Sequence, residues 1–233
     1  QAKKSLQIML EIDDMENLSF LDIGSGSGLF SLAAVSLGAK VTSFDFDSES
    51  VECTNNLKKN YFPEKENWII KQGSILNNKY VNNLGKFDIV YSWGVLHHTG
   101  SMWKAIENAT KLVKGEGKLF ISIYNDQSFI SLYWLFIKRL YNKNTISKIF
   151  IILLHFPYFI ILRSIIRLIK LKKLERGMDL FNDMLDWLGG YPFEVAKPKK
   201  IINFLEQQGF STIKIINVGN RQGCNEFIMK KDL

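Results

Sequence analysis

The glycine-rich segment at residues 24–28, Gly-Ser-Gly-Ser-Gly, constrains the fold more than any other feature of the sequence. It follows a short apolar run at 18–23 and precedes a stretch of helical composition at 29–37 that ends at Gly38. Glycines in such a turn let the backbone bend sharply and approach a ligand closely, and the start of the following helix presents unpaired amide groups. The segment therefore predicts a strand, a ligand-binding turn and a helix.

The rest of the chain continues the alternation of strand and helix. Further strands are predicted at 41–44, 68–71, 87–92 and 118–124, with Ser48 as the N-cap of the helix after the second strand. Strands alternating with helices at this spacing predict a parallel sheet covered on both faces. The last two strands, at 212–218 and 226–229, are joined by a short loop and should be antiparallel.

The fold class predicted by these patterns is α/β. We expect a doubly wound, mostly parallel seven-stranded sheet with a C-terminal antiparallel strand and a helical insertion after the fifth strand. With 233 residues, 46% hydrophobic and 23% charged, the chain is globular and suits one α/β unit with an insertion. The predicted segments are a core at 1–127, a helical cap insertion at 128–196, and a C-terminal segment at 197–233 that completes the sheet.

Two features of the sequence predict a cytoplasmic protein. The chain has only two cysteines, Cys53 and Cys224, and no apolar run near its start resembles a secretory signal. A reducing compartment is expected from both.

The positive charge is concentrated in one segment. Residues 128–178 contain ten basic residues and one acidic residue, a charge of +9, which leaves −2 for the rest of a chain whose net charge is +7. A basic patch spread over the whole protein is therefore excluded. Nucleic acid is disfavoured as a partner, because these cations accompany long aliphatic runs rather than a polar face with stacking aromatics.

The basic segment is also strongly apolar. Residues 129–174 show no strand alternation and predict two or three helices broken near Pro157, and another helix is predicted at 179–188. The uncharged run at 149–162 is shorter than the ~20 residues needed to span a bilayer, so spanning is not expected. Two roles stay open: a cap packed over the substrate site with solvated cations, and such a cap that also makes a peripheral contact, through residues 128–178, with anionic lipid on the inner membrane face.

Several motifs in order resemble one enzyme family. The spacing Gly-x-Gly-x-Gly follows Asp22, whereas a dinucleotide fingerprint would place its third glycine at position 29, which is Leu29. With Asp45 after the second strand, the segment resembles the first motif of the class I S-adenosylmethionine (SAM) methyltransferases. The tract at 87–98 is similar to the ubiquinone-biosynthesis O-methyltransferase group, and residues 186–194 are similar to uncharacterised bacterial relatives.

The resemblance implies SAM as cofactor, with S-adenosyl-L-homocysteine as product. An acid at the position of Asp45 accepts hydrogen bonds from both ribose hydroxyls in this family, and a carboxylate suits that role because it offers only acceptors. Phe46 matches a residue that flanks the adenine, and Ser74 stands where the family often has Asp. The implied cofactor-binding residues are Asp22, Gly24, Ser25, Gly26, Gly28, Asp45, Phe46, Gly73, Ser74, Ile75, Ser92 and Trp93.

His97 and His98 are the candidate catalytic residues. They follow the fourth strand, near where the methyl group should lie, and an imidazole is suited to deprotonating a hydroxyl or phenol. A structural hydrogen-bonding role is the alternative for both. No metal site is expected, because adjacent side chains diverge and His155 is the only other histidine.

The acceptor pocket is less well defined by the sequence. Trp93, Trp103 and Tyr124 are candidates to line it, with core packing as the alternative. We expect methyl transfer to a small or lipid-linked acceptor at oxygen. The alternative is a catalytically inactive SAM-fold scaffold docked on membranes through residues 128–178, whereas a nicotinamide oxidoreductase is disfavoured by Leu29. The sequence does not fix an oligomeric state.

Overall fold

The computed structural model describes residues 1–162, 164 and 180–233 of the chain. These residues form two compact units: a core unit, made of Gln1–Asp126 and Val195–Leu233, and a helical unit, Gln127–Glu194. Part of the predicted basic insertion lies outside the described residues. That part includes Asp179, the predicted start of a helix, and the cations Arg163, Arg167, Lys170, Lys172, Lys173 and Arg176.

A seven-stranded sheet forms the centre of the core unit, in the order β3-β2-β1-β4-β5-β7-β6. Strands β1 to β5 pair in parallel, and β7 is antiparallel to both β5 and β6. The predicted doubly wound α/β fold with an antiparallel C-terminal end is therefore confirmed. The strands are β1 (Ser19–Ile23), β2 (Lys40–Asp45), β3 (Trp68–Gln72), β4 (Phe87–Trp93), β5 (Val113–Tyr124), β6 (Phe210–Ile216) and β7 (Cys224–Lys231).

Helices cover both faces of this sheet. Alternate strand residues point to opposite faces of the sheet. Leu21 and Leu119 therefore join one buried cluster, and Phe20 and Phe120 join another on the opposite face. The helices of the core unit are α1 (Ala2–Leu10), α2 (Leu29–Ser36), α3 (Ser48–Tyr61), α4 (Asn78–Asn82), α5 (Met102–Lys111) and, after the helical unit, α9 (Pro198–Gln207).

Two local predictions need correction, and one short helix was missed. The N-cap of α3 is Asp47 rather than Ser48, because the Asp47 carboxylate accepts from the amides two and three residues ahead. Strand β5 begins at Val113, five residues before the predicted start at 118, and the pairing of this extension with β4 shifts register. Helix α4 was not predicted, since five residues are too few to show helical periodicity.

The helical unit contains α6 (Phe129–Tyr141), α7 (Thr145–Phe156) and α8 (Leu180–Gly189). Helix α7 ends before Pro157 as predicted, but the chain continues as a π-helical segment, Pro157–Leu162, rather than as a separate helix. A π-helical pattern displaces the hydrogen bonds by one residue, which accommodates the missing proline amide.

Candidate active site

The candidate site lies at the carboxyl ends of β1 and β4. These strands are neighbours, and the chain proceeds outward from them in opposite directions, which is where doubly wound sheets open a ligand crevice. The loops that follow the two strands touch here. Gly24 has φ +74°, and a Cβ at this position would overlap the Val95 side chain. Only glycine therefore lets the two loops approach each other at this point.

Asp45, the last residue of β2, lies beside the glycine-rich segment. Its Oδ2 accepts from the Gly26 amide at 2.9 Å, and its Oδ1 accepts from the Asp47 amide at 3.0 Å. A Cβ added at Gly26 would meet no atom within 4 Å. The carboxylate is thus fixed next to an open stretch of backbone.

Thr54 supports the glycine-rich segment from α3 and was not identified from the sequence. It is fully buried, and its Oγ1 lies 3.1 Å from the Ser25 hydroxyl and 3.3 Å from the Gly26 carbonyl. A Cβ at Gly28 would come within 2.9 Å of the same oxygen. The sequence shows only a threonine within a predicted helix. Its burial against the glycine-rich segment depends on how α3 packs.

Asp22 lies beneath the segment and is almost completely buried. Ser31 on α2 donates to its carboxylate at 2.5 Å, and the Ser43 hydroxyl lies 2.7 Å from Ser31. Burial raises the pKa of Asp22 to about 7; the Asp45 charge also raises it, while the Ser31 hydrogen bond acts in the opposite direction. In the structure Asp22 ties the first turn of α2 to β1.

An exposed aromatic ring follows Asp45. Phe46 is 77% exposed, and its carbonyl accepts from the Gln72 side chain at 3.1 Å. At the neighbouring strand end, a Cβ at Gly73 would overlap the ring of Tyr80, another residue that the sequence did not reveal. The end of β2 therefore carries an exposed aromatic ring, and the end of β3 lies so close to the Tyr80 ring that only glycine fits there.

Four other predicted cofactor-binding residues have polar groups that are already paired within the core unit. These pairs join the Ser74 hydroxyl to the Leu76 amide (3.2 Å), the Ile75 carbonyl to the Asn108 side chain (2.8 Å), the Ser92 hydroxyl to the Ile23 carbonyl (3.1 Å), and the Trp93 indole to Glu226 (3.0 Å).

The structure brings both candidate histidines together with Tyr124 at the ends of β4 and β5. The ring centroid of His97 lies 4.0 Å from that of Tyr124 and 4.5 Å from that of His98, which is itself 5.5 Å from Tyr124. His97 is completely buried, whereas His98 is partly exposed. Trp103 is not part of this group, since its ring packs on Phe204.

Neither histidine belongs to a candidate metal site. Among residues 1–162, 164 and 180–233, no group of three or more His, Cys, Asp or Glu side chains is placed to hold a metal ion.

Comparisons with known proteins agree with one another. A family model described as "Methyltransferase domain" matches residues 14–182. The ubiquinone biosynthesis O-methyltransferase of Pelagibacter ubique is 26% identical over 52% of this chain and 48% of its own length. That of Colwellia psychrerythraea is 28% identical over 52% of this chain and 50% of its own length. The chain thus spans about half the length of the curated relatives it matches. Magnesium protoporphyrin IX methyltransferase from Synechocystis PCC 6803, crystallised with bound SAH, has a similar fold, with a TM-score of 0.60, 15% identity, and coverage of 99% of this chain and 82% of that one.

Proposed function

The chain belongs to the methyltransferase-domain family, as its motifs predicted, and from that premise we propose that it transfers a methyl group from SAM to a small or lipid-linked acceptor at oxygen. SAM supplies a methyl group on a positively charged sulfur, which departs as a neutral thioether. The Asp45 carboxylate, held beside the open backbone of Gly26, is the observation that carries the proposal.

The residues of the crevice fit such a ligand. A carboxylate has about four acceptor sites, and backbone amides use two of those on Asp45, so acceptors remain for the ribose hydroxyls. The exposed ring of Phe46 offers a flat apolar face to the adenine. The N-terminus of α2, capped by Gly28, favours the carboxylate at the amino-acid end of the ligand.

Transfer to oxygen requires a base for the acceptor proton. We assign this role to His98, because it is partly exposed, and a positioning role to the buried His97. His98 takes the hydroxyl proton as the acceptor oxygen gains the methyl group. The names of the relatives from Pelagibacter ubique and Colwellia psychrerythraea support an oxygen acceptor.

Calorimetric titration with SAM, with S-adenosylhomocysteine and with a nicotinamide dinucleotide tests the cofactor assignment. We expect the two sulfur compounds alone to bind, and Asp45→Asn to weaken their affinity by about tenfold or more. Asp47→Asn is the matched control, two residues away, because asparagine keeps the N-cap of α3. Unchanged affinity in Asp45→Asn, or binding of the nicotinamide compound, would refute the assignment.

Radiolabelled SAM offered with a series of phenols and alcohols tests the transfer itself. We expect label in a hydroxyl acceptor, and a pH profile that follows a titrating base in the wild type but not in His98→Gln. Intact SAM binding without label in any acceptor would contradict transfer and favour a scaffold.

A further inference from the structure

The helical unit carries an apolar surface that the proposed methyl transfer does not explain. We propose that α6, α7 and the π-helical segment dock this surface on an anionic lipid bilayer, with the apolar side chains among the lipid tails and the cations among the headgroups. Nothing in this docking requires the methyl-transfer activity.

Helix α6 is apolar on both of its faces. Trp134, Ile137 and Tyr141 are buried. On the opposite face, at the spacing of successive helical turns, Phe129 is 86% exposed, Leu132 62% and Phe136 58%. A surface helix of a soluble domain carries polar residues at such positions. The outer face of α6 therefore lacks the polar residues expected on a helix exposed only to water.

The outer apolar face continues along the next helical stretch. Ile146 is 82% exposed, Leu153 67% and Phe150 62%. Residues 145–162 are long and apolar enough to cross a membrane by length and composition, as are the core helices of many soluble proteins. Such core helices are mostly buried, whereas only 17% of this stretch is. The further exposed apolar residues are Ile149, Leu154, Phe156, Tyr158, Ile161 and Leu162.

The opposite side of this stretch is occupied by protein. His155 and Phe159 are buried, and their rings lie 5.6 Å and 6.2 Å from that of Trp134. The Tyr133 hydroxyl also lies 2.9 Å from Nε2 of His155. Helix α7 is therefore attached to α6 along one side, which suits a helix lying in the plane of a membrane surface better than one crossing it.

The charge of the segment identifies the partner. No acidic residue occurs between Asp126 and Glu175, while nine basic residues do. Three of these, Arg139, Lys143 and Lys148, are exposed, and each lies within three residues of an exposed apolar residue in the sequence. Cations beside exposed apolar residues complement anionic headgroups above acyl chains. A second copy of the same face would bring two strongly positive segments together, which like-charge repulsion opposes.

Sedimentation with lipid vesicles tests the docking on the whole chain. We expect binding to phosphatidylcholine vesicles that contain phosphatidylglycerol, weakened by salt, and little binding to phosphatidylcholine alone. Phe150→Glu with Leu153→Glu should lower the partition coefficient by about tenfold or more. Ile8→Glu with Tyr61→Glu is the matched control, because these apolar residues of the core unit are 59% and 63% exposed.

A milder substitution tests insertion without adding charge. Fluorescence added by Phe150→Trp should be quenched by brominated lipid, and fluorescence added by Tyr61→Trp should not. Lys143→Gln with Lys148→Gln should weaken binding to the anionic vesicles by about tenfold and leave the neutral vesicles unaffected.

Four results would overturn the proposal. The first is absence of vesicle binding by the wild type, and the second is a lowered Tm in the glutamate variants, which would show that the apolar face is packed internally. The third is a dimer that the glutamate variants abolish. The fourth is vesicle-bound protein that resists carbonate extraction, which would show a spanning helix. SAM binding measured on the same samples separates failure of the docking from failure of the proposed function.

Discussion

At the scale of single residues, Asp22 should make the stability of the protein depend on pH. Its pKa is raised to about 7 from 3.8, so between these values the folded state retains a proton that the unfolded state has lost. Stability should therefore fall as pH rises through this range, by up to about 1.4 kcal/mol per pH unit. Urea unfolding at pH 5 and pH 7 should show this fall, and Asp22→Asn should remove it.

Asp88 provides the control for that measurement. Burial alone would raise its pKa, but hydrogen bonds from Lys114 and Ser19 and the charge of Lys114 outweigh burial and hold the pKa at about 2. Its stabilising contribution is present above pH 3.8 and is lost as pH falls toward 2. Asp88→Asn should thus lower stability equally at pH 5 and pH 7; the same slope change in both variants would contradict the role of Asp22.

The two histidines should differ in their effect on stability. His97→Ala leaves a cavity in a completely buried site and should cost about 2 to 4 kcal/mol of unfolding free energy. His98→Ala removes a partly exposed ring and should cost less than about 1 kcal/mol. Urea titration of both variants measures the difference, and equal losses would show that His98 is also a packing residue.

Part of the site follows directly from the sequence. Gly26 and Asp45 were predictable because the carboxyl ends of neighbouring parallel strands meet at one edge of a sheet, whatever the packing of the helices. Thr54 and Tyr80 were not, because their contacts with the glycines depend on how α3 and α4 pack. Asp22 matches a family motif, yet only the structure shows its carboxylate bonded to Ser31 under the loop.

At the scale of elements, two glycines of one loop should respond differently to alanine. Gly26→Ala meets open space and should cost about 1 kcal/mol for its positive φ. It should also lower SAM affinity, because the added methyl group stands next to the amide that donates to the Asp45 carboxylate. Gly24→Ala should cost more, because its Cβ also overlaps Val95.

Unfolding and calorimetry on both variants, with Val95→Ala added to Gly24→Ala, check this difference. The added substitution should recover the steric part of the loss only. A larger stability loss in Gly26→Ala than in Gly24→Ala would contradict the loop geometry.

Helices α6 and α8 are joined by a buried lysine. Lys138 is completely buried; its Nζ donates to the Trp187 carbonyl and lies 4.0 Å from the centre of the Trp187 ring and 5.0 Å from that of Phe193. Burial lowers its pKa to about 8, against the opposing charge of Asp186.

Stability should therefore rise between pH 8 and 10.5, because there the unfolded state binds a proton that the folded state has lost. Lys138→Met should flatten this rise, by up to about 1.4 kcal/mol per pH unit. Unfolding at pH 8 and pH 9.5 measures it, with the exposed Lys143→Met as control. An unchanged slope in Lys138→Met would show that Lys138 is not the titrating group.

The element boundaries show where local pattern stops being informative. The parallel strands were predictable because each is a short apolar run bounded by turn residues. Residues 115–117 form a turn by composition, yet they belong to β5 because pairing with β4 tolerates a register shift. Pro157 ends α7 by its missing amide, but the helical path continues because a π-helical pattern accommodates that missing donor.

At the scale of the whole molecule, the core unit should fold without the helical unit. The chain leaves the core unit at Asp126 and returns at Val195, and the two ends are already joined: Asn125 pairs with Ala196, whose amide donates to the Tyr124 carbonyl at 3.0 Å. A short Gly-Ser linker in place of residues 127–194 should thus leave a cooperatively folding protein that binds SAM and not vesicles.

Circular dichroism, calorimetry and vesicle sedimentation on the shortened chain check this expectation. Loss of cooperative unfolding would show that the two units fold as one, and retained vesicle binding would place the lipid contact in the core unit.

The closed junction at Asn125 and Ala196 also bears on how such proteins diversify. A segment that departs and returns at one bridged point is a replaceable module, because exchanging it alters no strand pairing. The inserted segment can therefore change in length and side chains, while the strand end that carries Asp45 and the pairing of the sheet stay as they are.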